Sequence, residues 1–247
     1  MFEALSSFFY IILYQPLFNL LVILYNYIPG HDFGIAVILL TLIIRFALYP
    51  TSVKAVHSQN NLQKLQPKIL EVQKKYKDDK EKQAQEILNL YKKEKINPFS
   101  GLFLALLQLP ILIALYRVFY QGFDPEKLSI LYGFVTNPGQ LNPFFMQIVD
   151  LSKSNIILAV IAGLAQYFQT KMTLPKTSIG LGEKDKEVDM TQIMQKQMIY
   201  FMPAFTTILL MSLPSALGLY WTIGSIFSIG QQYLVFKKQD KLETVKS

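Results

Sequence analysis

The chain has 247 residues, of which 51% are hydrophobic and 17% charged, with a mean hydropathy of +0.28. Soluble domains carry about 25% charged residues, so this composition points to a membrane protein. The absence of Cys excludes disulfides, thiolate metal sites, cysteine nucleophiles and a lipid-modified N-terminal cysteine; the net charge of +7 comes from 22 Lys and from Arg45 and Arg117, and its concentration in one segment argues against a nucleic-acid-binding domain.

The first apolar stretch, Ala4 to Ile28, contains no Lys or Arg. It is either a sixth span or a helix along the outer surface; Gln15, Pro16, Asn19 and Asn26 interrupt it and favour an interfacial helix over about 15–28. Only Glu3 precedes it, whereas a cleavable signal wants a basic start. A membrane-crossing helix needs about 20 mostly apolar residues, and five later segments are read as such spans. Phe33 to Val53 is continuous apart from Arg45, Pro98 to Tyr120 is apolar until Arg117, and Asn155 to Thr170 is short, with Gln166 and Gln169 in its second half. Gln197 to Leu213 and Ser215 to Phe236 read as a tight helical hairpin turning at Pro214.

Between the first two spans, residues 54–95 hold eleven Lys and six acidic residues. Leu62, Leu65, Ile69, Val72 and Tyr76 recur at helical spacing, and Ala84, Ile87, Leu88 and Tyr91 continue it after the Lys77-Asp78-Asp79-Lys80 turn. This predicts a cytoplasmic helical hairpin with a bend at Pro67. Segments 171–196 and the tail from Lys237 are also Lys-rich, whereas 121–153 has only Lys127 and Lys153 and belongs outside. A mobile loop is expected over 173–190, and short irregular pieces over 122–151.

The expected fold is therefore all-α, a polytopic five-helix transmembrane bundle with a cytoplasmic helical hairpin and an N-terminal interfacial helix. Its divisions are 1–32, 33–53, 54–97, 98–120, 121–153, 154–170, 171–196, 197–236 and 237–247. The expected localisation is a bacterial plasma membrane, multi-pass, with a cytoplasmic C-terminus.

Arg45 is the sharpest chemical feature. It lies twelve residues into the first span, about 18 Å deep at 1.5 Å per residue. A central Arg costs about 2.5–3.5 kcal/mol to insert, so it should face the bundle interior or a water-filled cavity; the alternative is snorkelling to the inner surface. Thr41, one turn earlier, Gln108 and Trp221 are candidates to line the same space, though each polar group alone is more often packing glue. Arg117 sits near a span end, where reach to headgroups explains it. His31 and His57 have no partner at metal-ligand spacing, so no metal is assigned and no cofactor is expected. No carboxylate lies in a span, and no phosphate loop or Ser/His/Asp arrangement stands out, so the chain does not read as an enzyme. Lys64, Lys68, Lys74, Lys75 and Lys77 are the hairpin's candidate contacts with anionic lipid or ribosomal RNA, weighed against a merely solvated face.

An ordered set of residues resembles the YidC/Oxa family of membrane protein insertases. It comprises Tyr14-Gln-Pro-Leu-Phe18, Phe33 through Arg45 to Tyr49-Pro50, Leu65-Gln-Pro-Lys-Ile69 and Leu90-Tyr-Lys92, followed by Ile96-Asn-Pro98 and Leu107-Gln-Leu-Pro-Ile111. Ala114-Leu-Tyr116, Pro214-Ser215, Leu219-Tyr-Trp221 and Gln231-Gln232 complete it. The resemblance covers nearly the whole chain. It implies a hydrophilic groove, open to the cytoplasm and lipid and closed to the outside, that carries Arg45 with Thr41, Gln108 and Trp221, and with Ser225 on the last span. Where the family has a Ser-Asn pair this chain has Gly224-Ser225, which removes one groove amide. The expected start close to the shared region and the short tail after Phe236 depart from members with a large outer domain or a long ribosome-binding tail.

By that resemblance the chain inserts and folds short membrane proteins, without nucleotide or covalent step. The implied partners are newly made membrane proteins and the bilayer, with the ribosome, signal recognition machinery and Sec translocon as further candidates, and no small-molecule substrate. Two other classes stand beside it: a transporter or channel for an anionic solute, and a scaffold recruiting partners through the hairpin. Neither a second intramembrane charge nor an inverted repeat supports the transporter.

Overall fold

A computed structural model describes the backbone over residues 2–97, 100–174 and 197–244. The expected loop over 173–190 lies almost wholly outside the described residues. Helices α1 (Phe2–Phe9) and α2 (Gln15–Tyr27) run on through a π turn, Tyr10–Tyr14. They are followed by α3 (Phe33–Ala47), α4 (Tyr49–Lys75), α5 (Lys80–Lys93), α6 (Ser100–Gln121), α7 (Ile156–Thr173), α8 (Met202–Leu210) and α9 (Ser215–Thr244). Side-chain caps set several starts: Asp32 accepts from Ile35 N–H, Asp79 from Lys82 N–H and Asn155 from Leu158 N–H.

The five-helix transmembrane bundle is not what the helices provide. Among the described residues, one helix, Ser6–Tyr27, is long and apolar enough to cross a membrane. The count rises to two only if α3 and α4 together are taken as one bent span. The helix that qualifies includes the stretch read as either a span or an interfacial helix; the multi-pass localisation falls with the span count.

Local chemistry explains why the expected spans fall short. Pro50 has no N–H to return to Phe46 and restricts the residue before it; α3 therefore stops after 15 residues, and the chain bends by 67° into α4 at Leu48. Pro67, the expected bend, lies inside an unbroken helix. The fourth expected span divides into a π turn, Gln197–Phe201, and the 9-residue α8. Gln166, Gln169 and Lys171 dilute the second half of α7, and Gly, Ser, Thr and Gln residues dilute α9.

The core is built on α2, α3, α6, α7 and α9. Phe18, Leu21, Val22, Phe33, Ala36, Val37, Leu115, Val118, Phe119, Ala162, Ala216 and Leu217 are fully or almost fully buried. Helix α9 packs most extensively on α7 and next on α3. The turn at Pro214 exists, but α8 and α9 barely touch; α8 packs instead on α7. Gly163 permits that approach, because a Cβ there would overlap Thr207 Oγ1.

Residues 122–151 form an ordered cap over α2 and α3. It contains a 3-10 turn, Pro125–Ile130, and a two-stranded antiparallel hairpin pairing Phe144 with Asp150 and Phe145 with Val149. The polar residues that interrupted the first apolar stretch bind this cap. Gln15 Nε2 donates to Ile130 O at 3.0 Å, Tyr132 N–H to Asn19 Oδ1 at 2.7 Å and Asn26 Nδ2 to Thr136 O at 2.7 Å. Tyr25 Oη accepts from Asn142 N–H at 3.0 Å. The end of the cap and the residues just after it supply carbonyls to the start of α9, where Ser215 N–H donates to Lys153 O and Ala216 N–H to Leu151 O.

Candidate functional site

Arg45 belongs to the last turn of α3, three residues before the bend, not to the middle of a long span. A cation there opposes the negative end of the helix dipole, a favourable placement worth about 0.3–1 kcal/mol at exposed sites. The side chain is half-buried, and its Nε is inaccessible to solvent and without a hydrogen-bond partner. Among the described residues no carboxylate pairs with it. Its guanidinium rests on α9 at Gly224, where a Cβ would overlap Nη2 and lie 3.1 Å from Cζ and from Nε.

Below this contact α9 follows α4 in constant register. Ser52 Oγ donates to Gln231 Oε1 at 2.6 Å, and Asn60 Nδ2 to Gln239 Oε1 at 2.7 Å; both pairs are separated by 179 residues. The same interval separates Arg45 from Gly224. Helices α4 and α9 thus run in parallel with matched rise, and Arg45, on α3 across the bend, meets α9 above this polar series. Gln239 Nε2 also donates to Asn61 Oδ1 at 2.9 Å. Gln231 Nε2 is buried without a partner, a second unsatisfied donor in addition to that of Arg45 on α3. An unsatisfied buried donor costs about 1–3 kcal/mol, so such groups suit acceptor-bearing ligands.

The other sequence-predicted residues divide. Thr41 is fully buried and spends its hydroxyl on Val37 O of its own helix at 2.6 Å. Gln108 Nε2 donates to Tyr220 Oη, linking α6 to α9. Trp221 Nε1 donates to Gln166 Oε1 at 3.1 Å and so faces α7. Ser225 is buried beside Gly224 on α9. Arg45 and Gln108 therefore meet α9, which carries Ser225 and Trp221, while Trp221 turns to α7 and Thr41 is spent on its own helix. Ser52, Tyr220, Gly224 and Gln231 were not singled out in the sequence as site residues. Tyr220 stands inside the Leu219-Tyr-Trp221 motif, and Gln231 inside Gln231-Gln232, but nothing local pairs either with α4 or α6.

The hairpin cations are exposed at Lys64, Lys68, Lys74, Lys75 and Lys77. Lys68 is engaged internally, its Nζ 2.7 Å from Glu94 Oε1, and this hydrogen bond and charge hold the Glu94 carboxyl below its ordinary pKa. Lys75 Nζ sits over the Tyr76 ring at 5.3 Å. Leu65 and Ile69 of α4 are buried, yet α5 contributes no buried residue and Leu88 is exposed. Polar contacts hold α5 in place: besides the ion pair, Gln83 Nε2 donates to Gln73 O at 2.9 Å. Among the described residues no group of three or more His, Cys, Asp or Glu is placed to hold a metal.

The described residues thus define an α-helical scaffold in which an arginine with a buried, unpartnered Nε lies beside two helices joined by polar side chains. Residues 23–242 match the family described as 60Kd inner membrane protein. Similar proteins include the membrane protein insertase YidC of Syntrophus aciditrophicus (strain SB), 36% identical over 226 residues, which are 91% of this chain and 36% of that protein. The membrane protein insertase YidC of Tolumonas auensis (strain DSM 9187 / NBRC 110442 / TA 4) is 32% identical over 229 residues, 92% of this chain and 36% of its own. That of Clostridium tetani (strain Massachusetts / E88) is 33% identical over 213 residues, 86% of both chains. This chain belongs to the YidC/Oxa family of membrane protein insertases. It spans about a third of the length of the first two relatives.

Proposed function

We propose that this protein inserts and folds short membrane proteins at a bacterial inner membrane by holding the polar, often acidic, segment of a client at Arg45 while the client's apolar segment moves into lipid. The observation that carries this reading is the Arg45 guanidinium, half-buried, with an unpartnered Nε and no carboxylate of its own among the described residues. A cation in a low effective dielectric attracts an anion several-fold more strongly than in water, so a partly desolvated arginine favours a client carboxylate over solvent. Gln108, Tyr220 and Ser225, on or against α9, supply further polar groups, and Gln231 lies two turns further along the same helix. The Lys-rich face of α4 adds attraction to anionic partners, with Lys68 reserved for Glu94.

The process consists of binding and release, with no nucleotide or covalent step. The test is insertion of a purified single-span client with an acidic translocated tail into liposomes containing the wild-type protein or Arg45→Ala, scored by protease protection. Protection by wild type, reduced at least about fivefold in Arg45→Ala, supports the reading. Wild-type protection no greater than that of empty liposomes contradicts it.

A further inference from the structure

We propose that Gly224 is a positioning residue: the missing Cβ of α9 forms the seat that holds the Arg45 guanidinium in its partly buried position. A Cβ at this point would overlap Nη2 and press on Cζ and Nε at 3.1 Å, so the guanidinium occupies the space a side chain would fill. The seat is fixed on both sides. Ser228 Oγ bonds Gly224 O at 2.8 Å, and Gln231, two turns further along, is held to Ser52 at the interval that also relates Arg45 to Gly224. Sliding of α4 past α9 would break the Ser52–Gln231 bond, and α3 joins α4 directly at the bend.

The atoms a Cβ would displace are the far end of a flexible side chain, whereas Gly224 itself lies inside a regular helix. Substitution by Ala raises helix propensity and moves the arginine head rather than the backbone. Gly224→Ala is therefore a way to unseat the cation without unfolding the protein. Unseated, the head moves toward solvent, where its attraction for a carboxylate is screened.

With only two arginines in the chain, phenylglyoxal modification followed by mass spectrometry reads Arg45 directly and uses exposed Arg117 as an internal control. In the full-length protein in liposomes, Gly224→Ala is expected to speed Arg45 modification at least about threefold and leave Arg117 unchanged. Gly224→Ser, which adds the same Cβ, should do the same. The functional arm rests on the insertion reading. There Gly224→Ala lowers insertion of an acidic-tail client about three- to tenfold and that of a neutral-tail client less than twofold. In an Arg45→Lys background, which lacks the Nη2 that a Cβ would overlap, the same substitution has less than a twofold effect. Equal Arg45 modification in wild type and both variants overturns the seat. So does an equal loss with both clients. If the wild type inserts neither client, the insertion reading falls while the modification rates still decide the seat.

Discussion

Asp32 binds the outer cap to α3 through one carboxylate: Oδ1 accepts from Ile35 N–H at 2.9 Å, and Oδ2 accepts from Met146 N–H at 2.5 Å. Met146 and Gln147 form the tip of the cap's hairpin with φ of 50° and 60°, a left-handed conformation that non-glycine residues adopt at a cost. The capping carboxylate of α3 thus holds a strained turn in place, and Phe145 fills the space left by the missing Cβ of Gly34 on the same helix.

Asp32→Ala removes a helix cap and a charge-assisted acceptor together. It should destabilise the protein by about 1–3 kcal/mol, with Asp32→Asn retaining part of that. Thermal unfolding in detergent measures the loss, and limited proteolysis should cut first near Met146. A midpoint unchanged from wild type contradicts the latch.

Ser52→Ala leaves Gln231, already unpartnered at Nε2, unpaired at Oε1 as well. The expected loss is about 1–3 kcal/mol. Ser52→Ala and Gln231→Leu together should cost less than the sum of the two alone, because the double variant leaves no orphaned acceptor. Additive losses contradict direct pairing.

Gly163→Ala pushes a Cβ into Thr207 Oγ1, which cannot retreat while it donates to Pro203 O at 2.9 Å. Overpacking of this kind costs about 1–3 kcal/mol. Thr207→Ala in the same chain removes the obstructing oxygen and should restore at least half of the loss, measured by chemical unfolding.

The hairpin ion pair is sensitive to acid. The hydrogen bond and charge of Lys68 lower the Glu94 pKa from an ordinary 4.5. A carboxylate depressed in the folded state contributes stability above its unfolded value, and that contribution disappears as pH falls through the folded one. Carboxyl NMR titration of Glu94 should therefore give a midpoint below 4.5, rising toward it in Lys68→Met. Since Glu94 is exposed, the linkage loosens α5 locally rather than unfolding the whole protein.

Sequence periodicity placed the helices of the charged segment well, since Leu65 and Ile69 are the buried members of their seam. The same logic overcounted membrane spans because an apolar run does not reveal where its helix breaks. Pro50 ended α3 early through the residues before it, and Pro67 passed without a break inside α4. Gln15, Asn19 and Asn26 looked like interruptions because their partners, Ile130, Tyr132 and Thr136, lie more than a hundred residues away. Arg45 was conspicuous as a charge among apolar residues. Gly224 carried no such signal: its importance comes from what occupies the space beside it, and that depends on the register between α3, α4 and α9.

The most direct measurement of the central claim is a charge exchange. Two single-span clients differing only in an acidic or a basic translocated tail are inserted into liposomes holding wild type or Arg45→Glu. If Arg45 selects the client segment by charge, wild type favours the acidic tail at least about fivefold and Arg45→Glu reverses the preference. The same preference in both proteins contradicts a charge-reading role for Arg45.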